Sequence, residues 1–269
     1  MDLLRRLLLF IKFCTVDQWT KIDADAQRER VPPVQVRFDW EPLVILVVAA
    51  VSLALIQYPG DRATFGRTFA NIDGPFGMLW AFAWWTGWRV LGYVVIPVVT
   101  IAALPGQRLR DYYVSLRGVG RHLWIYALLF LLVQPLVVVA SKSRGFALAY
   151  PFYKLANRSA FDLLMWEVMY AVQFVALEFF FRGFLLRGLA PRFGSAAIFV
   201  MIVPYCMIHF PKPMVETFGA IVAGVVLGTL AMRTRSIAGG VLIHIGIAVT
   251  MDLLALQHCP PDGLCPGIP

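Results

Sequence analysis

Residues 162–189 read DLLMWEVMYAVQFVALEFFFRGFLLRGL. The stretch is almost pure hydrocarbon, yet it carries Glu178 and Arg182 four residues apart. As one helix it measures about 42 Å at 1.5 Å per residue. That exceeds the roughly 30 Å hydrocarbon core of a bilayer, so a tilted or projecting membrane helix is expected.

The rest of the chain agrees. Of 269 residues, 59% are hydrophobic and only 15% charged. A soluble domain carries about a quarter charged residues and cannot hide this much apolar surface. Apolar runs at 42–58, 76–104, 123–140, 162–189, 195–209, 215–231 and 237–256 predict seven spans of an all-α polytopic bundle. An eighth span arises if the N-terminal run MDLLRRLLLFIKFCTV inserts. That run is short and broken by Arg5, Arg6 and Lys12, so an interfacial amphipathic helix is expected instead. Residues 17–41, polar and containing Pro32 and Pro33, read as a surface linker. The expected organisation is 1–41 interfacial helix and linker, 42–161 N-terminal membrane helices, 162–256 core helices, and 257–269 tail.

The net charge of +8 lies mostly in short stretches between apolar runs. Anionic headgroups and topology account for it, and nucleic-acid binding does not fit. Residues 1–41 hold seven Lys/Arg, and 105–121 hold four more on the same side. Both are expected to be cytoplasmic, with the N-terminus, although 141–161 is also basic and falls on the other side. The compact length leans toward a bacterial inner membrane. The tail would face outward, where Cys259 and Cys265 either bridge or remain two thiols.

Ionisable groups in hydrocarbon cost several kcal/mol each, so their positions carry the functional signal. Glu178 and Arg182 share a helical face, one turn apart. Either they neutralise one another as a structural pair, or they belong to a site. His209 closes the run SAAIFVMIVPYCMIHF, and His244 sits deep in GGVLIHIGIAVTMDLLAL. Gly239, Gly240 and Gly246 permit a close neighbouring helix around His244. Converging, these residues would place a carboxylate and two imidazoles around a wet pocket. That set suits water activation and oxyanion stabilisation, or a metal such as zinc at Glu178, His209 and His244. No cofactor is otherwise expected. No internal repeat points to a transporter.

At these residues the chain resembles the CAAX-processing and bacteriocin-immunity-related intramembrane proteases, the Rce1-like family. Their paired glutamates, three residues and arginine correspond to LEFFFRG, with Glu178, Arg182 and Gly183. An aromatic, three residues and histidine correspond to YCMIH, with Tyr205 and His209. Histidine, three residues and asparagine or aspartate correspond to HIGIA, with His244. The resemblance implies an Rce1-like core of membrane helices over about residues 162–256. It also implies an endopeptidase acting on a membrane-anchored protein or peptide. In that mechanism a glutamate activates water, the first histidine assists, and the later histidine stabilises the oxyanion.

Two positions depart from the pattern. Leu177 stands where the first glutamate is expected, so Glu178 would take its role from about 100° around the helix. Ala248 stands where an amide or carboxylate is expected. Asp252 substitutes for it or is an interfacial acid. Arg182, Tyr205 and Asp252 are therefore the supporting residues, and Glu178, His209 and His244 the catalytic ones. Leu177 and Ala248 equally support a second class of function. In that class the chain is a non-catalytic relative acting as a scaffold, chaperone or immunity-type membrane protein.

Overall fold

A computed structural model describes residues 2–29, 39–69, 72, 74–116, 119–260 and 264–266. Among these residues the chain is all-α, with one isolated bridge between Val114 and Ser236. Helices α1 (Asp2–Cys14) and α2 (Val16–Glu29) lead into α3 (Trp40–Gln57) and the short α4 (Arg62–Thr68). Then come α5 (Gly77–Ala103), α6 (Val119–Ser141) and the short α7 (Arg144–Ala149). The last four are α8 (Ala160–Phe193), α9 (Ala196–Met207), α10 (Met214–Thr234) and α11 (Ala238–Leu256).

Among the described residues six helices are long and apolar enough to cross a membrane: α3, α5, α6, α8, α10 and α11. The seventh expected span, 195–209, is the shorter apolar helix α9. At about 18 Å it falls short of the hydrocarbon core. Its last residues instead form the turn that brings His209 back toward the bundle. The N-terminal run is the separate helix α1, with Leu7, Leu8, Phe10 and Phe13 exposed. Where composition suggests a linker, residues 16–29 form α2, which docks on the bundle. Trp19 donates its Nε1–H to Thr229 at 3.1 Å, and Asp23 accepts from the backbone N–H of Ser195 at 2.6 Å. Pro32 and Pro33 lie outside the described residues.

The ends of the bundle are tied by contacts between loops. At the N-terminal end, Arg192 pairs with Asp39 and Glu41. Ser236 donates to the Ser115 carbonyl at 2.7 Å at the same end. At the opposite end, Arg158 reaches the Pro75 carbonyl, His258 the Ser141 carbonyl, and Tyr150 the Glu216 carboxylate. Cys259 and Cys265 form a disulfide at this end, and Cys265 N–H donates to the Lys154 carbonyl.

α8 is the central element. In its most apolar window 56% of residues are buried, against 11% for α6 at the periphery. Phe180, Phe181, Phe184, Leu186 and Leu189 are fully enclosed, so the phenylalanine stripe packs against protein rather than lipid. The helix is wound in π fashion over Phe179–Leu186. A second π segment, Leu91–Val95 in α5, packs against it through Tyr93, whose ring lies 4.8 Å from that of Phe180. Such wide turns recur at functional sites in helices.

The start of α8 is pinned by one carboxylate. Asp162 accepts from Arg158 Nη2 at 2.6 Å and Nε at 2.9 Å, from Ser159 Oγ at 2.6 Å and from Tyr153 Oη at 2.5 Å. Ser159 in turn caps the helix by accepting from Asp162 N–H. Asp162→Ala removes all four side-chain acceptor contacts and is expected to cost about 2–3 kcal/mol. The readout is a lower thermal unfolding midpoint in detergent micelles.

Candidate active site

Glu178 is the last residue of the regular part of α8, immediately before the π segment. Its Oε1 lies 3.0 Å from Arg182 Nη1 and 2.7 Å from His244 Nδ1. Glu178 and Arg182 are both essentially inaccessible to solvent. The Glu178–Arg182 contact is an ion pair by distance and the Glu178–His244 contact a close approach, neither with the angles of an aligned hydrogen bond. Gly240, on the turn of α11 before His244, makes the approach possible. A Cβ at that position would strike the Glu178 carboxylate. The glycines of α11 thus admit a carboxylate as well as a neighbouring helix.

His244 is sandwiched by function and by packing. Its ring stacks on Phe174 with centroids 5.4 Å apart and planes 4° apart. Its Nε2 is 3.0 Å from Tyr205 Oη. A proton on Nδ1 faces the carboxylate favourably, which leaves Nε2 to accept from the tyrosine O–H. The Arg182 guanidinium lies over the Tyr205 ring at 4.1 Å, so the tyrosine touches both Arg182 and His244.

His209 reaches the same tyrosine from the other side. Its Nδ1 is 2.7 Å from the Tyr205 carbonyl oxygen. A carbonyl only accepts, so Nδ1 carries the proton, and the Nε2 of the neutral ring keeps its lone pair. The rings of Tyr205 and His209 meet edge to face at 4.9 Å.

A cavity of about 820 Å³ runs from the opposite-end loops to this cluster. Its wall includes Tyr205, His209, His244, Gln173, Phe174 and Leu177. Glu178 and Arg182 do not line it. Adjacent helical residues point about 100° apart. The position facing the cavity is therefore Leu177, and Glu178 turns toward α11 behind it. Gln173, one turn before Leu177 on the same face, was not singled out by motif. Its i,i+4 spacing from Leu177 was the available signal.

The remaining candidates lie elsewhere. Asp252 is fully buried and accepts from Trp166 Nε1 at 2.5 Å, so it is neither an interfacial acid nor part of the cavity wall. Ala248 is buried in the cluster around Phe174 and Tyr170. Glu167 is half-buried, its carboxylate oxygens lack a hydrogen-bond partner, and it does not line the cavity. Among the described residues no three His, Cys, Asp or Glu side chains are grouped to hold a metal. Glu178 and His244 meet, but His209 turns its Nδ1 to a carbonyl.

The segment that builds this site has known relatives. Residues 159–250 match the Rce1-like family of type II CAAX prenyl endopeptidases. The Rce1-like segment contains every residue of the cluster, from Gln173 through Glu178 and Arg182 to Tyr205, His209 and His244. It begins one residue before α8 and ends within α11, so α1 to α7 lie outside the match. No curated protein and no solved structure matches the chain.

The close fit of Gly240 against Glu178 has a measurable consequence. Gly240→Ala is expected to displace the carboxylate and destabilise the protein by about 1–3 kcal/mol. Gly219→Ala, in α10 with open space around it, is the control. It is expected to be neutral or to stabilise by up to about 1 kcal/mol, as helical Gly→Ala changes do. Thermal unfolding of the two variants in detergent separates them.

Proposed function

We propose that the protein is an intramembrane endopeptidase that hydrolyses a peptide bond of a membrane-anchored protein or peptide. The base in this proposal is His209, with Glu178 acting through His244 as a positioning residue. The observation that carries the reading is the fixed tautomer of His209, whose Nε2 lone pair belongs to a ring in the cavity wall. A water there gives its proton to Nε2 as its oxygen attacks the peptide carbonyl carbon. The Gln173 amide is the donor in the wall suited to the oxyanion that forms. The imidazolium then returns the proton to the amine nitrogen as the C–N bond breaks. Water is thus consumed and the proton accounted for without a metal in any step.

Glu178 in this reading never meets substrate. It lies 2.7 Å from Nδ1 of His244, whose Nε2 meets the Tyr205 hydroxyl, and the backbone carbonyl of Tyr205 holds His209. The expected direct role of Glu178 lacks support, because Leu177 occupies the position that faces the cavity. That same leucine supports the second reading, a non-catalytic relative that keeps the fold as a scaffold, chaperone or immunity-type protein. We place the N-terminal end in the cytoplasm, supported by the seven Lys/Arg of residues 1–41 and by the disulfide at the other end.

The test is cleavage of lipid-anchored and single-span reporter peptides by protein reconstituted in liposomes. Wild type is expected to cleave, and His209→Ala to lose at least about 100-fold in kcat, the scale of general-base catalysis. Glu178→Gln is expected to lower kcat with KM unchanged and to shift the pH profile. Unchanged turnover in His209→Ala overturns the mechanism. A folded wild type that cleaves no reporter supports the second reading.

A further inference from the structure

The cavity wall holds more charge than hydrolysis requires. Besides the histidines it contains Arg62, Arg89, Lys154 and Lys212, with Asp61 as the lining carboxylate. Lys212 is already paired with Glu216 at 2.5 Å. The other three are held by neutral groups. The Arg62 guanidinium lies 4.3 Å over the Phe82 ring, and that of Arg89 lies 3.4 Å over the Trp85 ring. Arg89 also donates to the Trp85 carbonyl, and Lys154 donates to the Leu148 carbonyl at 2.9 Å. Among the described residues none of these three forms an ion pair with a carboxylate.

The Phe82 and Trp85 rings under Arg62 and Arg89 lie 6.0 Å apart, and Lys154 lines the same cavity, so the three cations share one wall. Burial lowers Lys154, in the loop before α8, to about 8, outweighing the field of nearby Asp252. Burial likewise lowers Arg62 in α4. Cations inside a membrane protein without acidic partners mark ligand and substrate paths. Among the groups that line the cavity, three cations against Asp61 leave two positive charges; Asp252, near Lys154, lies outside that wall and accepts from Trp166. A carboxylate balances one of them. A phosphate monoester, at about −1.5 to −2 near neutral pH, balances both. The planar guanidinium fork also matches pairs of its terminal oxygens. Beside the cations the wall is aromatic and aliphatic, with Phe82, Trp85, Phe152, Tyr170 and Phe174. The volume of about 820 Å³ lies in the range of small-ligand sites, roughly 300–1,000 Å³.

We propose that this cavity binds a single-chain amphiphile bearing a phosphate monoester, with the phosphate at Arg62, Arg89 and Lys154 and the chain along the aromatic wall. The assignment concerns binding and stands whether or not the cavity hydrolyses a peptide.

Native mass spectrometry of the detergent-purified full chain tests it, with 1-oleoyl lysophosphatidate as the probe. Uncharged monoolein, singly charged oleate and inorganic phosphate are the comparators. Lysophosphatidate is expected to bind one molecule per chain, at least about tenfold tighter than monoolein or oleate. Arg62→Gln and Lys154→Gln are each expected to weaken it by about tenfold, as loss of a charged hydrogen bond does. Lys154 lies in a loop, so its variant keeps the test available if an arginine variant fails to fold. Equal binding of monoolein shows that charge is not read and overturns the proposal. Equal binding of oleate points to a carboxylate ligand, and inorganic phosphate binding as tightly as the lipid points to a free phosphate. Either result also overturns it.

Discussion

A carboxylate and a guanidinium sealed together inside a membrane bundle set the terms for everything around them. Removing such ions from water costs several kcal/mol each, and their mutual attraction repays this only when the surroundings are tightly arranged. Glu178 and Arg182 obtain that arrangement from three helices. α8 supplies the pair, α11 approaches closely enough at Gly240 to bring His244 to the carboxylate, and α9 lays the Tyr205 ring beneath the guanidinium. Loss of either charge would leave the other buried without compensation. The central position of α8, its enclosed phenylalanines and the close contact with α11 all follow from housing this pair.

The π winding belongs to the same solution. A long helix that must pack on every side and also aim one carboxylate at a neighbour benefits from a local change of pitch. In α8 that change starts at the residue after Glu178 and extends beyond Arg182. The matching π segment of α5 places Tyr93 against Phe180 and closes the core beside the charges. Glu178 and Arg182 are thereby sealed from solvent, while Leu177, Tyr93 and the histidines line the cavity.

Much of the fold was legible because a bilayer enforces simple rules. Runs of hydrocarbon marked six of the seven expected spans, and i,i+4 spacing marked the Glu178–Arg182 pair. Helix α2 escaped because its sequence is polar on most faces, and its docking depends on single residues such as Trp19 and Asp23. The sequence placed carboxylate and histidines on successive helices, but it did not contain the π turn or the orientation of Leu177. Nor did it reveal that Asp252 accepts from Trp166, or that Gln173 shares the cavity wall. Those features are set by helix rotation and by contacts far apart in the chain, which residue spacing within one helix does not encode.

Tyr205 serves the two histidines with different parts of itself. Its hydroxyl meets His244, and its backbone carbonyl meets His209. The first contact is open to mutation, since a phenylalanine would erase it. The second belongs to the main chain and survives any side chain that keeps α9 in place. Point changes can therefore alter the His244 arm, and with it the positioning it supplies, while the proton on His209 Nδ1 stays fixed by the peptide bond itself. One arm of the site is inherited with the sequence, the other with the fold.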